Sequence, residues 1–122
     1  MTAFTEEEVT KVFEDVVLEF GANYKYPTQE ENPEYWSESG VACVYVTKKG
    51  KVACIVGQIY HRLGATTQQL QGNGGATGKG NDLGFVFPEN VRLGLSCAQS
   101  AQDQGNTWGQ ALDEYKLQVF KK

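Results

Sequence analysis

The sequence predicts an α+β fold, a single compact domain over residues 1–122 in which about four helices pack with a small β-hairpin. Three observations carry this expectation. A length of 122 residues suits one hydrophobic core and leaves no room for two. Several stretches repeat apolar residues at the helical period, and the first and last of them open on a capping signal. Between the first two, Val41 to Val46 and an apolar run from Val52 flank the polar turn Lys48-Lys49-Gly50-Lys51, the pattern of a hairpin. A hydrophobic content of 40% supplies enough apolar side chain to offset the entropy of ordering such a chain.

The first helix is predicted over 5–20. Thr5 and Glu8 have the spacing of a capping box, and Phe4 and Val9 that of a hydrophobic staple. Val9, Val12, Phe13, Val16, Val17 and Phe20 then share one face, and Gly21 supplies a left-handed stop. From 22 to 40 the periodicity disappears, and Pro27 and Pro33 bias the chain toward extended backbone, so a long mobile loop is expected. The hairpin spans about 41–54, with Lys49-Gly50 as its turn. Its second arm passes into a helix over 55–63, where Ile55, Val56, Ile59, Tyr60 and Leu63 form the stripe and Gly64 the stop. Thr66 or Thr67 caps a short helical turn reaching Leu70. Residues 71–84 hold six of the fourteen glycines and almost no apolar anchor, and a second mobile loop is expected there. Pro88 and Glu89 suit the start of a helix over 88–104, which buries Val91, Leu95 and Ala98. Gly105 stops it, and Thr107 with Gln110 opens a last helix over 107–119, striped by Trp108, Ala111, Leu112, Tyr115 and Val119.

Charge is unevenly spread. Residues 1–40 carry ten acids against Lys11 and Lys25, whereas 41–122 carry nine bases against five acids, for a net charge of -4. Without a dense Lys/Arg run, a phosphate-backbone binder is disfavoured, and nucleic acid is not the expected partner. The acidic half, with Glu6, Glu14 and Glu30, reads either as the solvated side of a helix or as a surface for a basic partner. The longest apolar run, Val52 to Val56, is five residues, far short of the roughly 18 to 20 that cross a bilayer. Three acids near the amino end stand where a secretory signal carries positive charge, so a cytoplasmic location is expected.

Candidate chemistry is sparse. Cys43, Cys54 and Cys97 form no C-x-x-C pair and are odd in number, so reduced, mostly buried thiols are expected rather than disulfides. Gly78-Lys79 resembles the end of a Walker A loop, but Asn73 occupies the first glycine position and Gly80 the hydroxyl position. A thiol enzyme would use Cys54 or Cys97 with His61, the single histidine. Cys54 and His61 on one helix lie about 10 Å apart along its axis, too far for a dyad. Cys43, Cys54, His61 and Cys97 have the composition of a zinc set without its usual close pair. Neither a metal nor a cofactor is assigned. The loop aromatics Tyr24, Tyr26, Tyr35 and Trp36 are the candidate partner-binding residues, with a lid over the small core as their other reading.

Residues 53–64 (ACIVGQIYHRLG) and 96–111 (SCAQSAQDQGNTWGQA) resemble two elements of a family of small proteins from bacteriophages of actinobacteria. In that family a CIVG…LHRLG element precedes an AQ…QD.G..WG.A element. With its linking segments the resemblance spans about residues 40 to 115. It implies a phage-encoded protein acting in the bacterial host cytoplasm, and it supplies no catalytic residues. The leading expectation is therefore a non-enzymatic protein that binds a host or phage protein, in an oligomeric state left open. The alternative is a small cysteine-dependent enzyme using Cys54 or Cys97 with His61.

Overall fold

The structure, a computed structural model, describes residues 2–37, 43–71 and 76–120. The start of the expected first hairpin arm at 41–42, the end of the first loop and residues 72–75 of the glycine-rich stretch lie outside the described residues. The chain mixes helix and sheet. In order it forms β1 (Thr2–Ala3), α1 (Glu6–Phe20), a 3-10 turn (Pro33–Tyr35), α2 (Ile55–Arg62), α3 (Ala76–Asp82), β2 (Phe85–Val86), α4 (Glu89–Asp103) and α5 (Trp108–Val119).

Local capping chemistry sets the two best-defined helix starts. At α1 the Glu8 amide donates to Thr5 Oγ1 at 3.1 Å and the Thr5 amide to Glu8 Oε1 at 2.8 Å. At α5 the Gln110 amide donates to Thr107 Oγ1 at 3.1 Å and the Thr107 amide to Gln110 Oε1 at 2.8 Å. The next free amides of α5 are taken by loop carbonyls, Trp108 N donating to Tyr24 O at 2.8 Å and Gly109 N to Ala22 O at 2.9 Å. These bonds tie the start of the long loop to the end of the chain.

The core is one cluster that gathers Val9, Phe13 and Val16 of α1, Ile55, Val56 and Ile59 of α2, Leu95 and Ala98 of α4, and Trp108, Ala111 and Tyr115 of α5. Helices α4 and α5 approach closely where Gly94 has no side chain: a Cβ there would stand 2.8 Å from the Tyr115 ring and 3.1 Å from the Tyr115 carbonyl oxygen. Tyr115 also shares a 2.9 Å hydrogen bond with Thr10 across to α1, and burial pushes its phenol up to about 12.

Three details of the expected architecture are corrected. First, the regular sheet is parallel, not a hairpin: β1 pairs with β2 in the register Thr2↔Phe85 and Ala3↔Val86. Phe4 holds this pairing by packing on Phe85 and Phe87, with ring centroids 5.0 and 5.7 Å away. Second, the segment around Gly50 does turn back on itself, but through Lys48-Lys49-Gly50, with an isolated antiparallel bridge Val46↔Val52 in place of a regular ladder. Thr47 N donates to Lys51 O at 2.8 Å and Ala53 N to Tyr45 O at 2.9 Å. Gly50, at φ 88°, supplies the left-handed residue that closes such a three-residue turn. Third, a fifth α-helix, α3, occupies residues read as glycine-rich loop. Glycine disfavours helix by about 1 kcal/mol per residue relative to alanine, yet here packing prevails. Gly80 lets α3 settle on Tyr60 and Phe87, and Tyr60 OH donates to Ala76 O at 2.6 Å.

No helix among the described residues is long and apolar enough to cross a membrane.

Candidate binding site

The long loop crosses the carboxyl end of α4 and leaves a cleft there. A cavity of about 240 Å³ is lined by Tyr26, Thr28, Gln29 and Trp36 from the loop and by Gln102, Asp103 and Gly105 from the end of α4. The aromatic wall is held from behind. Tyr26 OH donates to Tyr35 O at 2.6 Å, and Trp36 Nε1 donates to Pro27 O at 2.8 Å. The Tyr26 and Trp36 rings meet edge to face at 5.6 Å. Burial pushes the Tyr26 phenol well above its ordinary range, so it stays a neutral donor.

The four loop aromatics separate. Tyr26 and Trp36 line the cleft. Tyr35 is buried behind them, its ring 5.5 Å from that of Tyr26, with Lys51 Nζ over it at 5.6 Å. Tyr24 belongs to another cluster, 4.5 Å from Trp108 and 5.3 Å from Phe20. Two of these rings therefore cover core, and two also face a cavity.

The opposite wall rests on a buried polar network that the sequence reading missed. Gln102, 1% exposed, accepts the Ile55 amide at 2.8 Å through Oε1 and donates through Nε2 to Asp103 Oδ1 at 2.9 Å. Gln99 Nε2 reaches Cys43 Sγ at 3.3 Å and Tyr45 OH at 3.4 Å. A signal for this was present. Gln99 and Gln102 stand four and seven residues after Leu95, on the stripe of α4 where apolar residues belong. Asp103 is a partly buried carboxylate, and desolvation raises its pKa above 3.8, against the opposing pull of hydrogen bonds from Gln102 and Cys43. Among the described residues no Lys or Arg pairs with it.

The other candidates are placed as follows. Cys54 caps α2, its Sγ accepting the Gly57 amide at 3.3 Å. It is fully buried, and desolvation followed by contact with the Cys43 thiol raises its pKa well above the ordinary thiol value. His61 sits in the last turn of the same helix, its Nδ1 2.8 Å from Ala65 O. Cys97 is half-buried on α4. Among the described residues no group of three or more His, Cys, Asp and Glu is placed to hold a metal ion, so Cys43 and Cys54 meet without His61 and Cys97 completing a metal set. Gly78 and Lys79 lie within α3, and Lys79 Nζ donates to Gln71 O at 2.6 Å. Comparison with protein-family models, with curated proteins and with solved structures finds no match to this chain.

Proposed function

We propose that this chain acts by binding a protein partner of phage or host origin, without catalysis, and that the cleft of Tyr26, Trp36 and Asp103 receives a basic side chain of that partner. The observation that supports this reading is Asp103: a half-desolvated carboxylate, unpaired by any described cation, facing a cavity together with two aromatic residues. A guanidinium or ammonium group answers both features, since it ion-pairs with the carboxylate and interacts favourably with aromatic rings. The charge of the loop agrees with this, because Glu30, Glu31 and Glu34 follow Gln29 along it and are exposed.

The Cys54 arm of the cysteine-dependent alternative draws no comparable support. Cys54 is shut away from solvent with its thiol held protonated, and His61 lies at the other end of α2, about 10 Å away along its axis.

The test is affinity capture from an actinobacterial lysate at low and at moderate salt, using the native chain beside Asp103→Asn and Trp36→Ala variants of confirmed fold. The expected result is one dominant protein, held less well at moderate salt and lost from Asp103→Asn. Retention by both variants equal to that of the native chain, or capture of nothing specific, overturns the reading.

A further inference from the structure

Among the described residues, two buried side-chain donors have no hydrogen-bond partner, Trp108 Nε1 and Arg92 Nε. Their surroundings differ. The Trp108 indole lies against the rings of Phe20 and Tyr24, at 4.8 and 4.5 Å, within the core. Arg92 instead lines a cavity of about 410 Å³, together with Asn81 and Gly84 from the end of α3, and Phe85, Val86 and Phe87 from β2 and its continuation. Among the described residues this cavity shares no lining residue with the Asp103 cleft.

Arg92 is half-buried as a residue, and its Nε is a buried donor without an acceptor, an arrangement that costs stability unless it is completed. Such a donor is completed from outside the chain by ordered water or by a ligand, and the cavity beside it has room for the latter. Here the described protein supplies no carboxylate: Glu89, one turn earlier on α4, forms no ion pair with Arg92, and neither does Asp82 at the end of α3. The walls beside the guanidinium are mainly apolar and aromatic. Phe85 and Phe87 are fixed in place by each other, at 6.0 Å, and by Phe4 and Tyr60. Asn81 adds an amide able to donate or accept.

We propose that the Arg92 cavity is a binding site for a small organic carboxylate with an aromatic or aliphatic body. The carboxylate pairs with the guanidinium, whose planar fork matches its two oxygens, and the body lies along Phe85 and Phe87. A bare inorganic anion would satisfy Arg92 but leave the apolar walls wet, so the same geometry ranks an organic acid above phosphate. Small-molecule sites have this composition of apolar lining with a few placed polar groups.

The experiment is a titration of the isotope-labelled chain with 3-phenylpropionate, followed by amide chemical shifts, with 3-phenylpropionamide and inorganic phosphate as parallel probes. Expected are saturable shifts centred on Phe85, Phe87 and Arg92, at least tenfold weaker binding of the amide and of phosphate, and at least a tenfold loss in Arg92→Gln. Arg92→Lys, which keeps the charge without the fork, should fall between the two. Thermal melts of both variants separate lost binding from lost fold. Absence of saturable shifts with 20 mM probe, on the order of the weakest useful single-group affinities, overturns the site. Equal binding of acid and amide overturns the role of Arg92, and phosphate binding as tightly as the acid overturns the apolar part of the ligand.

Discussion

The Gln102 side chain, inside the core at the end of α4, caps α2 by accepting the amide of Ile55 at 2.8 Å. One buried amide group thus joins two helices whose starts are separated by α2 itself, the glycine-rich stretch with α3, and β2. Its other end steadies Asp103 at the cleft, so the packing of α2 on α4 and the position of the candidate binding carboxylate depend on the same residue.

Replacing Gln102 by Leu keeps the volume and removes both bonds. The Ile55 amide is then buried without an acceptor, a loss of about 1 to 3 kcal/mol. Urea unfolding should show a decrease of that size, whereas Gln104→Ala, at an exposed neighbouring position, should move stability by less than about 0.5 kcal/mol. A decrease no larger than that of the Gln104 variant would show that the bond is not structural.

Asp103 should reveal itself in the pH dependence of stability. Its folded-state pKa is raised, chiefly by burial, so the folded chain holds this proton more tightly than the unfolded chain does. Stability then falls as pH rises through the interval from 3.8 to the raised value, and above that interval the penalty is fully present. Asp103→Asn should therefore melt higher than the native chain at pH 7, with the gap narrowing toward pH 4. The same variant should lose at least tenfold in affinity for N-acetyl-arginine amide, a probe that the neutral citrulline analogue should not replace. A variant that melts lower at pH 7 while binding unchanged would contradict both expectations.

Thiol reactivity separates the cysteines by burial. Cys43 and Cys54 are enclosed, and the Cys54 thiol is pushed up by desolvation, whereas Cys97 is only half-buried. Reaction of the native chain with a chromogenic disulfide at pH 7.5, about one unit below the ordinary thiol pKa, should modify Cys97 first and the other two at the rate of unfolding. Fast labelling of Cys54 would revive its arm of the thiol-enzyme alternative, and labelling of Cys97 faster than that of a free thiol would revive the other.

Two glycine-to-alanine substitutions should have opposite effects. A Cβ on Gly94 would meet the Tyr115 ring at 2.8 Å and its carbonyl oxygen at 3.1 Å, and the strain should destabilise the fold by about 1 to 3 kcal/mol. A Cβ on Gly78, exposed on α3, meets nothing within 4 Å, and alanine there should stabilise by about 0.5 to 1 kcal/mol through helix propensity. Chemical denaturation of both variants measures the contrast directly, and a stabilising Gly94→Ala would mean that α4 and α5 do not approach as described.

What the amino-acid order determined by itself was everything decided within a few residues along the chain. Thr5 with Glu8 and Thr107 with Gln110 mark helix starts because each box closes over three residues. The apolar stripes of α1, α2, α4 and α5 are legible for the same reason, since a helix repeats its buried face every turn. The acidic character of the first third and the aromatic content of its loop were legible too. Tertiary structure alone decided the rest. Thr2 pairs with Phe85 across more than half the chain, and no local pattern announces a parallel partner so distant. Helix α3 exists because Tyr60 and Phe87 accept the bare backbone of Gly80, a contact that outweighs the poor propensity of its glycines. Both cavities arise from residues remote in sequence: Tyr26 and Trp36 meet Asp103 only once the loop is stitched to the start of α5, and Arg92 meets Phe85 and Asn81 only once α3 and β2 have packed. Helix starts follow from short-range hydrogen bonds, whereas the sites depend on which remote surfaces the shared core brings face to face.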